Sequence, residues 1–367
     1  MHILIEPSIA GSQATGLAGC CVVIPAFDPS PVLARTVHDL HRAGFEHVVV
    51  IDDGSDNRTA PVFEQVRQAG ATVLRHPHNR GKGAALKTGF AHALTHGHAA
   101  VVTVDADGQH TAADAQRVAM RLLAESVPAC VLGVRSFDSR VPARSRFGNT
   151  LTRKIIGSLA ALRVSDTQTG LRAFPASLLP DLCTIPGERY EYEMEMLVWL
   201  ARTRIRLVEQ PIETIYVDGN AGSHFRPLID SARIYWVLLR DVVLALSSFL
   251  IDISLFSLFL AFSDNILLST YCARLLSGTY NFLGNRHFVF RTRGNRRLTR
   301  EAAQYIALAC LVATLSGIMV GQVQQLMQWS AVVSKTSVDL SMYCVSFIMR
   351  RHVIFRPRRK RDGMAGE

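Results

Sequence analysis

The chain has 367 residues, 49% of them hydrophobic, with a mean hydropathy of +0.18, which is high for a wholly water-soluble enzyme and gives length enough for two domains. Its formal charge of +10 is one-sided: basic and acidic residues number 22 and 22 over 1–225 but 18 and 8 over 226–367, where the excess accompanies long apolar segments. That placement argues against a general nucleic-acid binder, which spreads a basic face over a folded domain. Seven scattered cysteines with no CxxC pair exclude a zinc site or a disulfide framework and imply reduced thiols in a cytosol-facing protein.

Residues 1–19 lack the basic start and long apolar core of a signal peptide and are expected to form a flexible leader. From Cys20 the pattern is strand, helix, strand. Cys21–Ile24 runs into Pro25, a helix is expected over 31–43, and Val48–Ile51 closes on Asp52-Asp53-Gly54-Ser55. A third strand, Ala71–Leu74, leads to a glycine-flanked lysine, Gly81-Lys82-Gly83, opening a helix in a manner suited to phosphate oxygens. It is not a Walker A loop, because Gly83 stands where Ser or Thr should follow the lysine.

The β-branched run Val101–Val104 ends in Asp105-Ala106-Asp107-Gly108-Gln109-His110. Read as an extended segment, it turns Asp105, Asp107 and Gln109 to one side, an all-oxygen set suited to Mg2+ or Mn2+ shared with substrate phosphates. Ordinary turn chemistry is the competing reading of the same residues. In an open α/β sheet, Pro25–Asp28, Asp52–Ser55 and Asp105–Gln109 would then share the edge formed by strand carboxyl ends. Arg135, after the strand Cys130–Val134, and Arg172 are the planar donors best matched to a diphosphate. A hydroxyl acceptor would need a general base, for which Asp166, Glu191, Glu193 and Glu195 are nearest, although Glu191 and Glu195 also suit the positive end of a helix. The basic segment 137–154, with Arg140, Arg144, Arg146, Arg153 and Lys154, reads equally as a lid receiving an anionic head group and as a solvated face.

Phe225–Arg240 has the pattern of an amphipathic surface helix, with Leu228, Ile229, Ala232, Tyr235, Trp236 and Leu239 on one arc and Arg226, Arg233 and Arg240 along its edge. Four apolar segments follow, at about 242–262, 266–283, 302–323 and 331–349, each near the roughly 20 residues that span a bilayer. The connections 263–265 and 321–330 hold no Lys or Arg, whereas 286–300 holds six arginines and 350–361 seven basic residues. Positive-inside logic therefore puts the N-terminal part and the C-terminus in the cytoplasm. Phe282, Arg286, His287, Phe290 and Arg291 recur 65 positions later as Phe347, Arg351, His352, Phe355 and Arg356, which implies two related helical hairpins. Asp252, Arg274 and Asp339 lie within the apolar segments at similar depth and are expected to pair inside the bundle.

The stretches Val22–Asp28, Val48–Thr59, His78–Phe90, Val101–His110 and Ser165–Phe174, in that order, resemble the family 2 glycosyltransferases of the GT-A fold, close to the dolichyl- and polyprenyl-phosphate enzymes. The membrane half resembles the GtrA family of small four-helix domains. The resemblance implies a Rossmann-like, mostly parallel α/β domain over 20–222, an amphipathic helix over 223–240, a transmembrane domain over 241–357 and a basic tail over 358–367. It further implies nucleotide-sugar binding by Pro25, Ala26, Phe27, Asp28, Asp53, Gly54, Lys82, Asp105 and Ala106, and metal binding by Asp105, Asp107 and Gln109. Asp107, Arg135 and Arg172 would serve the chemistry, and Arg144, Arg146, Ser223 and His224 the acceptor. The partners implied are a nucleotide-diphosphate sugar, a polyprenyl phosphate and the membrane, without nucleic acid and with a homo-oligomer left open. The expected reaction is inverting transfer to undecaprenyl phosphate for cell-envelope glycan. Transfer to a hydroxyl, or a lipid-linked-sugar carrier with an idle transferase domain, are the alternatives. Pro29 replaces an acidic residue of the family pattern, and Asp218 with Ser223-His224 replaces a basic residue with Ser-Lys, so the sugar and the base stay open.

Overall fold

The computed structural model describes residues 16–135, 164–203, 205–213, 227–284 and 314–349. The chain divides into two compact units, Met1–Val237 and Leu238–Glu367. The first contains, in order, β1 (Cys20–Ala26), α1 (Val32–Arg42), β2 (His47–Asp52), α2 (Ala60–Gln68), β3 (Thr72–Arg75), α3 (Lys82–Thr95), β4 (Ala100–Thr103), α4 (Ala112–Leu123), β5 (Ala129–Arg135), β6 (Arg172–Pro175), α5 (Leu179–Thr184), α6 (Glu191–Arg202) and β7 (Arg206–Ile212). Of the expected leader, Leu17–Gly19 form a short 3-10 turn that runs directly into β1.

The seven strands form one sheet in the order β3-β2-β1-β4-β6-β5-β7. Every neighbouring pair is parallel except those made by β6, which runs antiparallel to both β4 and β5. The mostly parallel α/β expectation holds. Strand alternation explains the continuous apolar runs: Cys20, Val22 and Ile24 enter one core with Leu33, Val37 and Val118, while Cys21 and Val23 enter the other with Phe90 and Tyr192. Helix α3 lies so close to the sheet that a Cβ on Gly89 would stand 2.2 Å from Val23 Cγ1. The carboxyl ends of β1, β2 and β4 thus share one edge, as the parallel pairing requires.

The second unit is helical. Its elements are the greater part of α7 (Pro227–Ser263), whose first residues belong to the first unit, with α8 (Ile266–Gly284), α9 (314–327) and α10 (Ala331–Met349). Here one expectation changes, because the amphipathic segment and the first apolar segment belong to one 37-residue helix. No Gly or Pro between 228 and 263 supplies a break. Among the described residues, Val242–Ser263 is the stretch long and apolar enough to cross a membrane. Large apolar side chains face outward along these helices, Leu246, Leu250, Phe262 and Leu275 being 58%, 64%, 84% and 70% exposed, as suits lipid contact. Leu268 N–H donates to Asn265 Oδ1 at 3.0 Å and caps the start of α8.

Candidate active site

The floor of the strand-end crevice is built by the turns after β1 and β2. Asp28 takes a left-handed φ of 44°, its N–H donates to Ser55 Oγ at 2.9 Å, and its Oδ1 accepts from Asp56 N–H at 2.7 Å. Ser55 N–H donates to Asp52 Oδ1 at 2.9 Å, and Arg75 closes the turn from outside, with Nη2 3.1 Å from the Ser55 carbonyl. Pro25, Phe27, Asp28 and Gly54 remain partly exposed toward this edge, whereas Ala26 is buried. Gly54 cannot be anything larger. Its φ is 72°, and a Cβ would lie 2.3 Å from the backbone of His78.

Asp53 occupies a different place from the one expected. It is 3% exposed, and its oxygens accept from His76 Nδ1 at 2.7 Å, Arg80 N–H at 3.0 Å and Gly81 N–H at 2.6 Å. His76 continues the chain through Nε2 to Thr88 Oγ1 at 2.9 Å. The carboxylate therefore anchors the 76–81 loop and fixes the start of α3, which carries Lys82 into the crevice.

Lys82 stands between two carboxylates, its Nζ 2.7 Å from Asp105 Oδ1 and 2.9 Å from Glu193 Oε2. Burial opposes the lysine's charge, but Asp105 and Glu193 overcome that and hold its pKa above the usual value. Burial likewise opposes the Asp105 carboxylate, but the Lys82 ammonium, with His110 Nε2 3.6 Å from Oδ2, keeps the group well below the usual carboxylate range. Asp107 shifts the other way: burial, then the Asp105 charge, push it up. Asp105 and Glu193 share the Lys82 ammonium, and Asp105 and Asp107, two carboxylates of one turn, are oxygen donors of the kind a divalent cation would take.

The geometry behind that pair differs from the strand alternation expected. β4 ends at Thr103, and the acidic residues follow in a turn, with Gly108 at φ 74° and Asp107 Oδ1 accepting from Gln109 N–H at 3.0 Å. Turn chemistry brings the carboxylates together. The neighbouring segment closes over them: Thr103 Oγ1 donates to the Gly170 carbonyl at 2.7 Å, and a Cβ on Gly170 would lie 2.1 Å from Asp105 Oδ2. Glycine at 170 leaves the room that the carboxylate occupies.

The two arginines expected at a diphosphate are engaged elsewhere. Arg172 is 1% exposed, with Nε donating to the Thr169 carbonyl at 2.9 Å, Nη1 to the Glu193 carbonyl at 3.1 Å and Nη2 to the Thr167 carbonyl at 3.5 Å. It braces the 167–170 segment and α6 from within and does not project into the crevice. Arg135 makes a bidentate pair with Asp166, at 2.6 Å and 3.1 Å. Asp166 itself is fully buried, so the first suspect for a general base is committed to an arginine. Glu191, at the start of α6, accepts through Oε1 from the N–H groups of Glu188 and Arg189, the helix-end role already foreseen. Arg144, Arg146, Ser223 and His224 lie outside the described residues.

Two participants were missed from the sequence as site residues, Glu193 as the partner of Lys82 and His110 as the partner of Asp105. The sequence offers Glu193 only as a candidate base. Its helix start carried a signal of charge but none of direction. His110 followed the acidic pair directly and was readable as its neighbour.

Two family models match the chain: Glycosyl transferase family 2 over residues 21–180 and GtrA/DPMS, transmembrane domain, over 242–355. The undecaprenyl-phosphate mannosyltransferase of Micrococcus luteus is 31% identical over 214 residues, which cover 54% of this chain and 84% of that protein. The UDP-N-acetylglucosamine–dolichyl-phosphate N-acetylglucosaminyltransferase of Methanococcus voltae is 27% identical over 216 residues, covering 54% of this chain and 86% of that one. A solved structure of glucosyl-3-phosphoglycerate synthase from Mycobacterium tuberculosis, in complex with Mn2+, UDP and glucosyl-3-phosphoglycerate, aligns with a TM-score of 0.46 at 19% identity, over 60% of this chain and 78% of that one. The two family models and the Micrococcus luteus relative, together with the seven-stranded mixed sheet and the helical unit that follows it in the chain, make the protein a member of the family 2 glycosyltransferases, of the polyprenyl-phosphate type, that also carries a GtrA/DPMS transmembrane domain.

Proposed function

We propose that the protein is an inverting enzyme that moves a sugar from a nucleoside-diphosphate donor to a polyprenyl phosphate at the cytoplasmic face of a membrane, with undecaprenyl phosphate the first acceptor to test. The observation that carries this reading is the Lys82 ammonium at the strand-end crevice, paired with Asp105 and Glu193, with Asp107 beside Asp105 in the same turn. Pro25, Phe27, Asp28 and Gly54 form the half-open floor on which the nucleoside would lie, with Asp53 holding the loop behind it. Asp105 and Asp107, assisted by Gln109, would hold Mg2+ or Mn2+. When bound, the cation neutralises charge that builds on the departing diphosphate.

Lys82 opens α3 beside the same point and would share that task at a helix end that favours anions. An oxygen of the lipid phosphate attacks the anomeric carbon as the carbon–oxygen bond to the nucleoside diphosphate breaks, and the electron pair leaves on the diphosphate. No proton need move, because a phosphate monoester is already ionised near neutral pH. The burial of Asp166 against Arg135 accords with a reaction that needs no base at that position. Arg144, Arg146, Ser223 and His224 are proposed for the acceptor's phosphate, and the arginine-rich segments 286–300 and 350–361 favour a four-span topology with both on the cytoplasmic side. The test incubates purified full-length protein with UDP-, GDP- and dTDP-sugars and undecaprenyl phosphate and identifies the lipid product by mass spectrometry. A glycosyl phospholipid of inverted anomeric configuration is expected. Product formed only on hydroxyl acceptors, or retention at the anomeric carbon, overturns the reading.

A further inference from the structure

Lys82 presents a conflict that the proposed cation site makes explicit. Its ammonium already lies 2.7 Å from Asp105 Oδ1, an oxygen that a divalent cation would need, and both charges are positive. Glu193 Oε2 lies 2.9 Å from the same nitrogen on the other side, and Glu193 Oε1 lies 3.9 Å from Arg172 Nη2, which holds the carboxylate from behind. We propose that Lys82 is the counter-cation of Asp105 before a metal arrives, and that Glu193 is the positioning residue that keeps the ammonium paired once the metal displaces it. The inference rests on the cation reading given above. Without Glu193, displacement would leave a desolvated ammonium with no partner. With it, Lys82 shifts by little, stays charged and remains beside the departing diphosphate.

Opposite signs test this. Mn2+ affinity of the full chain in detergent, without nucleotide, is measured by calorimetry or by electron paramagnetic resonance of free Mn2+. Lys82→Met removes the competitor and is expected to tighten Mn2+ binding. Glu193→Gln leaves Lys82 with Asp105 alone and is expected to weaken it by about 10-fold or more, the usual cost of removing an outer partner of a metal site. Glu193→Asp should return part of the wild-type affinity. Circular dichroism confirms that each variant is folded before titration. Shifts of the same sign, or none, in folded variants overturn the proposal. A wild-type chain that binds no Mn2+ overturns the cation reading itself and this inference with it.

The helical unit carries a separate cluster of charge. Lys335 Nζ on α10 lies 2.8 Å from Asp252 Oδ2 on α7 and 2.9 Å from Asp339 Oδ2, and Arg274 Nη2 on α8 lies 3.0 Å from Asp339 Oδ1 and 3.5 Å from Asp252 Oδ2. Ser277 Oγ donates to Asp252 and Ser316 Oγ, on α9, donates to Asp339, both at 2.7 Å. The pairing expected of Arg274 with both aspartates is present, and Lys335, 0% exposed, joins it. All four helices contribute, and two basic groups balance two acidic ones. We infer that this neutral network specifies how the four helices assemble, because any other packing would leave a charge unpaired in an apolar interior.

The test is compensation. Full-length variants are expressed in membranes, and folded protein is read from monodisperse detergent extracts and protease resistance. Lys335→Met and Asp252→Asn, each unbalancing the cluster, are expected to lower the folded amount several-fold. Combining them restores neutrality and should recover much of the loss. Wild-type amounts in both single variants, or a double variant no better than the worse single one, overturn the inference.

Discussion

Two lysines in this protein each bridge a pair of carboxylates at nearly the same distances, Lys82 at 2.7 and 2.9 Å and Lys335 at 2.8 and 2.9 Å. Their surroundings differ. Around Lys82 the side chains are 13–25% exposed, and Asp107 stands nearby with its carboxyl raised by burial and by the charge of Asp105. Around Lys335 the lysine and both aspartates are at most 6% exposed, and an arginine and two hydroxyls complete their partners. Bond lengths alone therefore do not tell a working site from a structural one. Access and charge balance do: the open cluster can exchange a partner, and the closed one cannot do so without exposing an ion.

The sharpest way to break this comparison is to remove the unbalanced carboxylate. Asp107→Ala is expected to lower transfer by about 100-fold or more, measured by product mass spectrometry with saturating donor. Its side-chain bond to Gln109 N–H is local, so stability should change by no more than about 0.5 kcal/mol. Retained transfer at ordinary Mg2+ or Mn2+ would remove Asp107 from the site. Next in size is the same substitution made at both lysines. Lys82→Met should fold at normal yield and lose transfer, whereas Lys335→Met should lose folded protein before activity is measured. Equal folding yields for the two would show that the two clusters are alike after all.

The apolar strands were legible because β1, β2 and β4 are buried on both faces and read as unbroken β-branched runs. β6 was not. Its four residues begin with Arg172 and end with Pro175, and no local pattern marks an antiparallel strand inserted between β4 and β5. β7 was also missed, since this edge strand, Arg206–Ile212, keeps no strict alternation, buries only Val208 and Ile212 and contains Pro211. In the site, Asp105 and Asp107 were legible from their spacing at the end of a β-branched run, although a turn rather than a strand aligns them. Arg172 was misplaced because its residue type suits phosphate equally well as it suits buried carbonyls, and only the fold decides between them. Lys335 escaped notice because it lies one turn inside α10, where a lysine ordinarily reaches outward to the interface.

A smaller effect is expected at Gly170, which tests whether the open cluster depends on shape as well as charge. A Cβ there would stand 2.1 Å from Asp105 Oδ2, so Gly170→Ala must push the carboxylate aside. A displacement of about 1 Å at reacting groups commonly lowers kcat/KM by up to about 100-fold, and a loss of that order is expected with an unchanged circular dichroism spectrum. Wild-type kcat/KM would mean that the Thr169–Gly170 segment yields instead, and that Asp105 is held less firmly than its contacts imply.

The smallest effect should come from the opposite end of the sheet, where the interacting groups would carry charge of a single sign. His47 opens β2 and lies 4.5 Å, ring to ring, from His98, which lies 6.3 Å from His96, itself stacked at 3.9 Å on His92. Burial first, then His47, His96 and His92, lower the pKa of His98 from 6.5 to about 4. A lowered folded-state pKa means that the unfolded chain binds this proton more readily. The associated stability is therefore present above about pH 6.5 and is lost as the pH falls toward 4. His98→Gln removes that proton linkage. It should leave kcat at pH 7.5 unchanged, and its melting temperature should fall less than that of the wild type between pH 7.5 and pH 5. Because the rings are partly exposed, solvent screens the repulsion, and the difference is expected to be no more than about 2 °C. A variant that loses stability on acidification as steeply as the wild type would place the acid sensitivity in other groups, and His98 would then be an ordinary surface ring.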